Sequence, residues 1–125
     1  MSFFGSDRER RAVNNQSLYR AGNERLKKFN EDWYGTVLPR GGWICECANE
    51  ACLQHIEMAS SEYEAVRQDG ARFFVAPSDE HVWPDVERVI ERNDRYWIVE
   101  KTGHAYDIAT RADPRAKAEP LSLHT

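Results

Sequence analysis

The sequence predicts an α+β fold, with a long N-terminal helix packed on a small antiparallel sheet, a cysteine-bearing loop and short helices. Three observations carry this. Apolar residues recur at helical spacing as far as Trp33. Short runs rich in aromatic and β-branched residues follow from Trp43, divided by Gly, Pro, Asn and Asp. All three cysteines fall at the end of the first of those runs or between it and the second.

The helix is expected over 7–33. Ala12, Tyr19, Gly22, Leu26, Phe29 and Trp33 lie along one seam, and a seam of that kind must bury against something. Gly22 costs a helix about 1 kcal/mol relative to alanine, so it is expected to mark a close backbone contact. The stretch "YGTVLPRGG", residues 34–42, ends the helix and serves as a linker.

"WIC" and "HIEM" read as two strands flanking the cysteine loop. "SSEYEAVRQDG", residues 60–70, reads as a short helix, with Ser61 and Glu64 at capping-box spacing and Gly70 as its stop. "RFFVAP" is a strand closed by Pro77, and "SDEHVWPD" a turn-rich loop. "VERVIER" and "RYWIVEK" face each other across Asn93-Asp94 as a hairpin, and residues 103–112 form a last helix. The whole is expected to be one domain over 1–125, with its α+β core at 43–112 and a frayed tail at 113–125.

Charge is uneven. Residues 7–28 hold seven basic and three acidic side chains, a balance of +4, which leaves −8 on the rest of a chain whose net charge is −4. Arg10, Arg11, Arg20, Lys27 and Lys28 could be a solvated face or a docking face for a partner. No apolar run approaches the ~20 residues of a membrane span. "MSFFGSDRERR" does not read as a signal peptide, so the expected setting is the cytoplasm.

Cys45, Cys47 and Cys52 have the spacing C-x-C-x4-C. Clustered thiolates are soft ligands that suit zinc, which takes four ligands in a closed structural site. The fourth ligand is expected to be His81, in the proline-flanked loop "APSDEHVWP", with His55 as the alternative. The same thiols could instead form a redox switch, or serve only as small buried hydrophobes. Glu46, between two cysteines, is expected to face solvent. Trp83 could cover the metal site or anchor a partner.

The blocks "NNQSLYRAGNERLKKFN", "ICECANEAC", "EYEAVRQDGARFFVAP", "VERVIER", "WIVEK" and "DPR", in that order, carry a resemblance. Over Asn14 to Arg115 the chain resembles a family of small uncharacterised actinobacterial proteins with a C-x-C-x4-C motif followed by a VAP...H loop. The resemblance implies a histidine ligand after the "VAP" block, which favours His81 over His55. It implies no activity. The chain departs from the family by carrying "SDEH" where a shorter glycine turn is usual.

Catalytic constellations are missing from the sequence: it has no Gly-rich phosphate loop, no nucleophile elbow and no H-E-x-x-H. It does not read as an enzyme. The expected function is that of a structural-zinc domain binding another protein or acting in regulation, as a monomer or weak homodimer. The alternatives are a thiol-based redox or zinc-release sensor, and a nucleic-acid binder through the basic N-terminal helix.

Overall fold

In the computed structural model, backbone is described for residues 2–34, 41–49 and 51–115, and side chains for 10–28, 41–49 and 51–115. Helix α1 runs Ser2–Tyr34. Strands β1 (Gly41–Ile44) and β2 (His55–Met58) pair antiparallel, with Trp43 opposite Ile56. Helix α2 (Ser60–Val66) leads to β3 (Arg72–Val75) and then to a 3₁₀ turn at Asp79–His81. Strands β4 (Glu87–Arg92) and β5 (Trp97–Lys101) form the hairpin, and α3 (Gly103–Ala112) closes the order. The strands divide into two small antiparallel sheets, one of β1 and β2 and one ordered β3-β5-β4.

The core follows from the apolar runs. Trp43 stacks on Tyr63 with centroids 4.2 Å apart, and Phe74 meets Tyr63 edge-on at 6.0 Å. Phe73, Phe74 and Val75 are all buried, as a run covered on both faces should be. The hairpin turns at Asn93, whose Oδ1 accepts from the amides of Arg95 and Tyr96. A bulge falls between Val89 and Glu91, where Ile90 is left partly exposed.

Several expectations are corrected. Helix α1 does not dock by the apolar seam alone. Its innermost line is Val13, Gln16, Arg20 and Asn23, each 0% exposed. Leu26 packs half-buried at the edge of the core, and Leu18 is 70% exposed. The side chains of Phe29 and Trp33 lie outside the described residues, as does the linker over 35–40. Gly22 marks no close contact, since a Cβ there would meet nothing within 4 Å.

Gly70 does make such a contact. A Cβ on it would lie 2.7 Å from Asp113 Oδ2, and its carbonyl accepts from Arg20. Helix α2 ends before it, at Val66. The cap of α2 is Ala59, whose amide donates to Glu62 Oε1 at 2.8 Å; Glu64 pairs instead with Arg115. The segment after α3 therefore does not fray at once: Asp113 is buried against Arg67, and Arg115 bridges Glu24 and Glu64. Residues 116–125 lie outside the described ones.

Candidate metal centre

The cysteine loop leaves β1 and is tied down at once. Cys45 N donates to Gln54 O at 2.9 Å, closing the loop's base, and Glu46 N donates to Phe74 O at 2.9 Å, stitching it to β3. Asn49 makes the tight turn. Its Oδ1 accepts from Ala51 N, and its carbonyl accepts from Cys52 N at 3.0 Å. This folds Cys52 back beside Cys47.

His81 arrives from the other side. The chain leaves β3 through Ala76 and Pro77, and Ser78 N and His81 N close successive turns on Ala76 O and Ser78 O. Past the histidine, Trp83 N donates to Glu87 Oε2 at 2.8 Å. Glu87 is itself fixed by the buried Lys101 ammonium at 2.7 Å. The histidine turn is thus held at both ends.

The result is a cluster of Cys45, Cys47, Cys52 and His81 whose four ligand atoms all lie within 4.8 Å of one another. His81 Nδ1 is 3.7 Å from the sulfurs of both Cys45 and Cys52. The three cysteines are buried and unbridged. Ala76 N donates to Cys45 Sγ at 3.2 Å, a bond that favours a charged sulfur. The geometry could hold a metal ion. His55 stands apart, exposed on β2 opposite Ile44. His104 is exposed at the start of α3, and His124 lies outside the described residues.

Electrostatics shows what the cluster lacks without a cation. The Cys45 thiol is pushed up by its hydrogen bond to Cys47 and further by burial. The same bond holds Cys47 down at about 5. Burial pushes Cys52 up. Three neighbouring sulfurs cannot all ionise alone, because each thiolate raises the cost of the next. A bound cation would reverse that balance.

Helix α1 supports the cluster from behind, through residues absent from the sequence-based site. Asn23 pairs with both backbone groups of Ile44, at 2.8 and 2.9 Å, and donates to Glu46 Oε2. Gln16 Nε2 donates to Glu46 O and to Glu87 Oε1, and Gln16 Oε1 accepts from Lys101 Nζ. Tyr19 OH donates to Asn49 O at 3.1 Å. Glu46 does not face solvent: it is 0% exposed, and burial pushes it up to about 7 against the hydrogen bond from Asn23 and the charges of Arg20 and Arg67.

The expected partner-binding residues separate. Arg20 is buried, donating to Gly70 O at 2.6 Å and Ala109 O at 3.1 Å with its guanidinium over the Phe73 ring, so it offers nothing to a partner. Lys27 lies 3.5 Å from Glu64. Arg10, Arg11 and Lys28 are exposed. Trp83 is half-buried against the core. It walls a cavity of about 290 Å³ that reaches Cys47 and His81.

Fold and site together define a small α+β domain with a Cys3His cluster suited to a metal ion. No family model, curated protein or solved structure matches the chain. Among the described residues, no helix is long and apolar enough to cross a membrane.

Proposed function

We propose that the cluster binds one zinc ion and that this ion is structural. The observation that carries the reading is the mutual closeness of the four ligand atoms, within 4.8 Å. A zinc tetrahedron with ordinary bond lengths places sulfur about 3.6 Å from nitrogen. The two sulfur–nitrogen separations of 3.7 Å match that spacing. Four protein ligands leave no open position, which argues for a structural ion over a catalytic one. The ion would join the cysteine loop to the His81 turn, and so the small sheet to the exit of β3.

The domain's work is then binding or regulation. The exposed side of α1, at Arg11 and Lys28, and the Trp83 loop are the proposed points of contact with another protein. A thiol sensor is the second reading, favoured by the cavity of about 290 Å³ that reaches Cys47.

Elemental analysis of protein purified under reducing conditions should find about one zinc per chain, as a Cys3His site requires. His81→Ala should weaken zinc binding at least tenfold, and His55→Ala should leave it unchanged. Metal-free protein with three freely titrating thiols in the folded state would end the zinc reading. Loss of zinc at stoichiometric peroxide, with a disulfide formed and peroxide reduced to water, would favour the sensor.

A further inference from the structure

Helix α1 packs along α3, and the two leave a groove between them with a volume of about 400 Å³. Arg10 and Asn14 line it from α1, and His104, Ile108 and Arg111 from α3. It shares no residue with the metal cluster. We infer that this groove is a binding site for a phosphate group carried on a small ligand.

The argument begins with charge. The chain is acidic overall, with 21 carboxylates against 17 Lys and Arg. Yet among the described residues no carboxylate lines the groove. Among the described residues no ion pair neutralises Arg10 or Arg111. The Arg111 Nε donates only to the backbone carbonyl of Asp107, which leaves the end of its guanidinium fork available. Two guanidinium groups lining one cavity repel each other, and an anion would relieve that repulsion.

A second basic cavity shows the contrast. It is larger, about 480 Å³, and holds Arg67 and Arg115. There Arg67 lies 2.5 Å from Asp113, and Arg115 bridges Glu24 and Glu64. Its two guanidinium charges are thus paired with carboxylates of the chain, although Arg67 Nη1 is buried without a hydrogen-bond partner.

The donor chemistry points to phosphate. Guanidinium forks match phosphate oxygens two bonds at a time, and the Asn14 amide adds a neutral donor. His104 and Arg111 stand about 10 Å apart along α3. Between them Ile108 supplies an apolar surface, half-buried, for the rest of a ligand. A volume near 400 Å³ fits a small molecule and not a folded partner.

Calorimetry on the full zinc-loaded chain at low salt tests this, with inorganic phosphate, AMP and adenosine as probes. Phosphate and AMP should bind and adenosine should not. Tighter binding of AMP than of phosphate would identify an ester as the ligand, and equal binding the free oxyanion; both uphold a phosphate site. Arg10→Gln and Arg111→Gln should each weaken AMP at least tenfold. Arg25→Gln, on the exposed side of α1, should change it less than twofold. Amide shifts on adding AMP should centre on residues 104–111. Equal binding of adenosine and AMP would overturn the inference. So would a loss in Arg25→Gln as large as in Arg10→Gln, which would indicate only diffuse charge. Binding of a thymidine dodecamer with phosphate and AMP silent at millimolar concentration would overturn it too, in favour of a polymer.

Discussion

Helices α1 and α3 pack on the same domain and bury opposite chemistries. The inner face of α3 is Ala105 and Ala109, small and apolar, with Ile108 beside them. That of α1 is Gln16, Arg20 and Asn23 beside Ala12 and Val13. Apolar burial has no direction, so α3 is held wherever its alanines exclude water. A buried amide or guanidinium has few acceptable partners, and its position is fixed by them. The difference teaches that α1 is placed by hydrogen bonds more than by oil. Through Gln16 and Asn23 those bonds hold the cysteine loop.

The largest break in that comparison should come at Arg20, where the two helices meet. Its guanidinium serves Gly70 O, at the turn after α2, and Ala109 O inside α3. Arg20→Met keeps most of the stem and removes the donors. One buried and one partly buried carbonyl then lose their partners, at a cost of about 1–3 kcal/mol each. The contact with the face of Phe73, at 4.5 Å, is lost as well. Denaturant unfolding should report a loss of about 3–5 kcal/mol. Ala105→Gly in α3 removes one methyl and should cost about 1–2 kcal/mol. Equal losses in the two variants would mean that α1 docks by area after all.

This contrast also explains what the sequence could reveal. The strands, the hairpin at Asn93 and α3 were legible from their apolar runs and the turn residues between them, although Glu87 and Lys101 are buried and Ile90 is exposed. Cys45, Cys47, Cys52 and His81 were legible as chemistry: thiols cluster for few reasons, and the proline-flanked loop pointed to His81. The inner face of α1 was not. Gln16, Arg20 and Asn23 have helical spacing, but polar residues at that spacing look the same whether they meet water or a buried carbonyl. Glu46 was hidden likewise, since a carboxylate between two cysteines enters the core only because Asn23 and Phe74 N are there to receive it. Gly70 read as a helix stop because glycine's commonest use hides its other one, the close approach of Asp113.

Asn23 gives an intermediate effect and sharpens the link to the metal. Asn23→Ala leaves both backbone groups of Ile44 and one oxygen of Glu46 without the amide. Stability should fall by about 2 kcal/mol. Ile44 adjoins Cys45, so zinc affinity should fall too, by about tenfold, as losses in the shell behind a metal ligand do. Leu18→Ala, on the opposite face of α1, should leave zinc affinity unchanged. A stability loss with unaltered zinc affinity would show that the helix supports the fold and not the cluster.

The smallest effect should have the opposite sign. Gly22 sits inside α1, half-buried, one residue from Asn23. A glycine there has two explanations with different consequences. If another backbone approaches it closely, within this chain or in a second copy, a methyl group clashes and stability falls. If nothing approaches, the glycine only loosens the helix, and alanine should be better by about 1 kcal/mol. The structure favours the second case, since a Cβ at Gly22 would have no atom within 4 Å and the residue is not in the left-handed region. Gly22→Ala should therefore raise the melting temperature by about 4 °C. Zinc affinity should not change, because the polar contacts of Asn23 stay in place. The rise should be the same at every protein concentration. A fall that appears only at high concentration would reveal a second α1 packed against this face, and the helix would then be held from both sides.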